Sequence, residues 1–133
     1  MFLLDTNICI FIIKKKNENV LKNLMRHKDR GLLISGITLA EMEFGIENAN
    51  PVYYARNRIA LIEFMSVFEV KNFDENAARE YGKLKKDLKD RNCLIGPLDM
   101  LIGAHAKSLK ATLVTNNTKE FERIKDLTIE DWT

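Results

Sequence analysis

Five short apolar runs, separated by longer segments of helical period, set the tightest limit on what this 133-residue chain can fold into. The runs Phe2–Leu4, Leu32–Ser35, Val67–Val70, Thr112–Thr115 and Leu127–Glu130 have strand length and are bounded by charge, Gly or Asn. Between them, the spacing predicts helices over Asn7–Lys15, Glu18–Arg26, Gly36–Asn48, Tyr53–Met65, Asp74–Lys89 and Leu98–Lys110, with a short one near Glu120–Ile124. Such alternation predicts an α/β sandwich around a mainly parallel sheet. Parallel strands need long crossovers, and the connections from Val52 to Val67 and from Asn72 to Thr112 have room for them. Asn50-Pro51 and Gly96-Pro97 read as turns rather than boundaries, so residues 1–133 are expected to form one domain.

Hydrophobic residues at 46% and charged residues at 30% exclude a disordered chain. The net charge of +2 permits a nucleic-acid partner without demanding one. The longest uncharged stretch near the start, Thr6–Ile13, is far short of the roughly 20 residues of a membrane span. An Asp precedes that stretch and three lysines follow it, the reverse of a secretory signal, so the cytoplasm is the expected location. Cys9 and Cys93 lack metal or redox spacing and read as core thiols.

Acidic residues interrupt the apolar pattern at three places. Asp5 closes the first strand, Glu41 lies inside Ile37–Met42, and Asp99 is the only fully charged residue between Cys93 and Ala106. Helical period turns Glu41 inward, where a charge is costly unless it is paired or holds a metal. Each acid also has a structural explanation. Asp5 suits a helix N-cap, Thr38-x-x-Glu41 suits a capping box, and Asp99 behind Pro97 complements a helix dipole. Those explanations work singly, whereas the joint placement at what would be the carboxyl edge of a parallel sheet favours a site. Carboxylates without His or Cys beside them select Mg²⁺, with Mn²⁺ as a substitute.

Phe2-Leu3-Leu4-Asp5-Thr6-Asn7, Ile34–Glu41, Gly96-Pro97-Leu98-Asp99, Leu113–Ile124 and Ile129–Trp132, in that order, resemble the PIN-domain ribonuclease toxins of type II toxin–antitoxin systems, the VapC family. The resemblance covers essentially the whole chain. It implies a PIN-like three-layer sandwich with a five-stranded sheet, and an Mg²⁺-dependent endoribonuclease that leaves a 5′-phosphate and a 3′-hydroxyl. Asp5 and Asp99 would ligate metal, Glu41 would hold the metal or its water, and Thr6 and Ser35 would orient the carboxylates. Many members carry a fourth Asp where this chain has Asn117; Glu120, three residues on, is the candidate replacement, unless Asn117-x-x-Glu120 is only a capping box. The resemblance further implies tRNA as substrate, with the anticodon region of initiator tRNA favoured. It also implies a homodimer and a cognate antitoxin that binds operator DNA.

Lys14, Lys15 and Lys16 are the expected phosphate contacts, ahead of the Lys83–Arg91 stretch, where Asp87 and Asp90 intervene. His105 reads as a core or interface histidine, Trp132 as packing for the last strand, and Tyr53–Met65 as a core or partner-facing segment. A haloacid-dehalogenase-like phosphatase also starts with a strand-end Asp, but needs a second Asp where Asn7 stands. A receiver-like or protein-binding domain is the non-catalytic alternative.

Overall fold

The strands divide their side chains between two cores, and that division builds the three layers. A computed structural model describes residues 1–133. Its strands are β1 (Phe2–Leu4), β2 (Leu32–Ser35), β3 (Glu69–Lys71), β4 (Thr112–Val114) and β5 (Ile129–Glu130). Its α-helices are α1 (Thr6–Lys14), α2 (Glu18–His27), α3 (Gly36–Asn48), α4 (Tyr54–Met65), α5 (Glu75–Asp90), α6 (Pro97–Leu109) and α7 (Thr118–Phe121). Because successive strand residues point to opposite faces, Phe2, Leu4, Leu32, Ile34 and Val114 meet Ile8, Val20, Met42, Leu61 and Phe64 from α1–α4. Leu3, Leu33 and Leu113 face the other way, onto Leu84, Leu88, Met100, Ile102 and Phe121 from α5–α7.

The strand order is β3-β2-β1-β4-β5, and every pairing is parallel. The chain therefore winds outward from β1 through β2 to β3, then returns to the far side of β1 for β4 and β5. Right-handed crossovers in opposite directions place their helices on opposite faces of the sheet. The reversal lies between β1 and β4, where Leu4 pairs with Val114. Asp5 and Thr115 leave the sheet side by side at that point, with the Asp5 amide bonded to the Val114 carbonyl at 3.0 Å.

The expected elements are present, with local shifts. The third strand covers Glu69–Lys71 instead of Val67–Val70, because Val67 and Phe68 close the turn after α4 and Phe68 stacks on Phe64 at 4.4 Å. The last helix starts earlier, at Thr118, and the sheet is wholly rather than mainly parallel. Trp132 is buried against Phe2 and His27, as packing for the chain end. No helix is long and apolar enough to cross a membrane.

Gly103 sets how closely α7 approaches α6. A Cβ there would come within 2.6 Å of Ile124 Cδ1 and 3.6 Å of Phe121 Cε1. Gly103→Val should lower stability by about 2 kcal/mol through overpacking, while Gly103→Ala should cost less because its helix propensity offsets part of the strain. Urea midpoints of the two variants check this; a neutral Val would mean that Ile124 is free to swing away.

Candidate active site

Asp5 is fixed by both of its oxygens. Oδ1 accepts from the Ile8 amide at 3.0 Å as the N-cap of α1, and Oδ2 accepts from the Thr115 hydroxyl. The capping role and the site role thus fall on one residue. Asp5 is 4% exposed, and burial raises its pKa above the usual carboxylate value, opposed by the Thr115 and Ile8 hydrogen bonds and reinforced by Glu41.

Glu41 sits six residues into α3 and is not part of a capping box, because Ser35 is the N-cap of that helix. Its Oε1 lies 2.6 Å from Thr6 Oγ1, which is also 3.3 Å from Thr38 Oγ1. Thr6 has one proton, and the charged acceptor takes it. Thr38, fully buried, therefore donates to Thr6, and the two hydroxyls form a relay ending on Glu41.

Asp99 lies in the first turn of α6 behind Pro97. Its pKa is raised to about 6, by burial first, then by a hydrogen bond with Glu120 and by the charges of Glu120, Asp5 and Glu41. The dipole explanation predicts the opposite shift, so like charge and desolvation dominate here. Asn117 Nδ2 donates to Glu120 Oε2 at 2.8 Å and reaches Asp99 Oδ2 at 3.5 Å. Asn117 makes no side-chain cap to α7; its amide instead joins the two acids, and its backbone N–H donates to Thr115 Oγ1 at 3.0 Å.

Asp5, Glu41, Asp99, Asn117 and Glu120 thus converge where the winding reverses, and Thr6 serves one of the carboxylates directly. Ser35 makes no hydrogen bond to a carboxylate, contrary to expectation. Its hydroxyl accepts from the Ile37 amide at 3.0 Å and meets His105 Nδ1 at 2.8 Å, because it ends β2 as the cap of α3. Thr115 and Thr38 also belong to the site, although the sequence assigns neither a role in it. Thr115 was signalled by its place at the end of an apolar strand, whereas nothing in sequence spacing brings Thr38 to Thr6.

Lys14, Lys15 and Lys16 stand at the opposite end of α1 from Asp5, on the order of 14 Å away at the usual helical rise. Only Lys14 shares a groove with an acid. About 270 Å³ in volume, that groove is walled by Ile10, Ile13, Met42, Ile46 and Leu61, with Glu41 and Lys14 also on its lining. In α4, Leu61 and Phe64 are core, while Ile59 and Ile62 are exposed.

No Lys or Arg forms an ion pair with any of the four carboxylates; the ion pairs of this protein lie elsewhere. Nor are three His, Cys, Asp or Glu side chains gathered within reach of a single ion. Each acid is instead turned to a hydroxyl or an amide. Four unpaired carboxylates, two of them with raised pKa, form a donor set that suits a hard divalent cation.

The PIN domain profile matches residues 2–127. The chain is 38% identical to "Ribonuclease VapC2" of Rickettsia felis, covering 99% of this chain and 98% of that one. It is 40% identical to the "tRNA(fMet)-specific endonuclease VapC" of Salmonella typhimurium, covering 98% and 97%. Among solved structures, VapBC2 from Rickettsia felis bound to a DNA fragment from their promoter superposes with a TM-score of 0.93 at 36% identity, covering 99% of this chain and 98% of that one.

Proposed function

Since this chain belongs to the VapC family of PIN-domain ribonucleases, we propose that it is a divalent-metal-dependent endoribonuclease toxin acting on tRNA, with Asp5, Glu41 and Asp99 as its metal-holding acids. The observation that carries the reading is the convergence of four carboxylates, none with a basic partner, on the switch point of a parallel sheet. Mg²⁺ is the favoured ion and Mn²⁺ its substitute. When bound, such an ion offsets the negative charge of a phosphodiester and makes a nucleophile of water near neutral pH. The chain's own groups do the rest. Thr115 and the Ile8 amide hold Asp5 in one orientation, and the Thr38–Thr6 relay holds Glu41. Asp99, whose pKa burial and Glu120 raise to about 6, must give up its proton before it can act as an anionic donor.

Lys14, on the lining of the groove that Glu41 also lines, supplies a backbone phosphate contact. The initiator tRNA anticodon region is the favoured target, as the printed name of the Salmonella relative supports. A cognate antitoxin, operator DNA bound through it, a homodimer and a cytoplasmic setting complete the reading; the solved VapBC2 complex with promoter DNA supports the first two. Purified protein incubated with a tRNA pool should cut it in Mg²⁺ and not in EDTA, with end-sequencing giving the position. Cleavage that persists in EDTA would reject the metal-dependent mechanism.

The Asn117 corner yields a second expectation. Asn117→Asp should tighten divalent-ion binding about tenfold by adding an anionic oxygen, and Glu120→Gln should slow cleavage. Equal metal affinity of parent and both variants by calorimetry would remove this corner from the metal environment.

A further inference from the structure

His105 and Ser35 tie together the two helices that carry Glu41 and Asp99. His105 lies six residues after Asp99 on α6, and Ser35 lies six residues before Glu41 at the cap of α3. His105 is 1% exposed and Ser35 is fully buried. His105 Nδ1 meets Ser35 Oγ at 2.8 Å, and the ring also contacts the Asn72 backbone just beyond β3. The buried Ser35 hydroxyl needs an acceptor for its own proton and Nδ1 is the only one it meets, so Nδ1 accepts from Ser35 and the neutral ring carries its proton on Nε2. Ser35 Oγ accepts in turn from the Ile37 amide. The result is a directed chain from the Ile37 amide through the Ser35 hydroxyl to the imidazole. Phe73 closes it edge-on at 5.4 Å.

We propose that His105 is a positioning residue for metal binding, acting through Ser35 to fix the first turn of α3 and hence the direction of Glu41 relative to Asp99. The inference rests on the metal-dependent reading above. Burial keeps the imidazole pKa below its ordinary value against the pull of Asp74, with Lys71 assisting, so the neutral form that the chain requires is the one present at neutral pH. A generic core histidine needs only its volume. A positioning histidine needs an acceptor at Nδ1.

His105→Phe keeps the volume and removes the acceptor, His105→Asn restores a polar atom near Nδ1, and Ser35→Ala cuts the chain from the other side. Mn²⁺ affinity by calorimetry should fall about tenfold in His105→Phe and in Ser35→Ala, with kcat for RNA cleavage falling and KM holding. His105→Asn should recover part of the affinity. The double variant should be no worse than either single one, because both break one chain. Parent-like Mn²⁺ affinity in a folded His105→Phe, or additive losses in the double variant, would overturn the proposal. A parent protein that neither binds Mn²⁺ nor cuts RNA would overturn the metal-dependent reading instead, so the two failures are separable.

Discussion

Asp5→Asn should reduce RNA cleavage by about 10³-fold while leaving the fold intact or slightly stabilised. Asn retains an oxygen for the Ile8 amide, and Asn and Asp are equivalent as N-caps, so α1 keeps its start. Its amide meets Thr115 Oγ1, which turns from donor to acceptor. What disappears is a negative charge that burial already opposes. Removing it relieves a cost to the folded chain and takes away the donor best placed at the switch point. Asp5→Ala loses the cap as well and should be less stable than Asp5→Asn by about 1 kcal/mol. Thermal unfolding beside single-turnover cleavage of tRNA separates the two effects. Parent-like cleavage by Asp5→Asn would place the activity elsewhere or in a contaminant. A normal melting curve with no cleavage is the signature of a functional charge rather than a structural one.

The layers were legible because strand period and helix period differ, and Phe2-Leu3-Leu4 alone declares a strand buried on both faces. Asp5, Glu41 and Asp99 were legible for a related reason, since a charge inside an apolar run is an exception that needs explaining. The hydroxyl network was less visible. Thr and Ser fit helix starts, strands and turns alike, so their composition does not tell whether Ser35 serves an acid or a histidine. That choice is made by α6 packing over the end of β2, a contact between residues seventy apart in the chain. Asn117 shows the same limit. Its spacing to Glu120 allowed a capping box, and only the placement of α6 beside α7 shows the amide turned to Asp99 and Glu120. The lysines at the end of α1 stand out in the sequence for their density, yet the helix carries them away from Asp5 and leaves only Lys14 on the groove. The phosphatase alternative needed a second Asp at Asn7, and the match to the PIN domain over residues 2–127 removes it.

Divalent-metal affinity should fall about tenfold for each unit of pH below about 6, because the ion must displace the proton that Asp99 holds in the folded protein. The sign of the metal-free stability follows from the same shift. Asp99 has a folded pKa of about 6, raised from the ordinary 3.8. A carboxyl that binds its proton more tightly when folded adds stability below the unfolded pKa and loses that contribution as pH rises through the folded one. Metal-free protein should therefore weaken between about pH 4 and pH 6 through this group, by on the order of 1 kcal/mol after screening at a half-exposed site, and Asp5 acts in the same direction. Metal should raise the melting temperature strongly at pH 7 and little at pH 5. Glu120→Gln provides the internal control. It removes a neighbouring charge from Asp99 while burial, the larger cause, remains, so the midpoint should move toward acid without reaching the ordinary value. Calorimetric titration of Mn²⁺ at pH 5, 6 and 7 on parent and Glu120→Gln reads both slopes. A pH-independent affinity in the parent would mean that Asp99 is not among the groups that hold the ion.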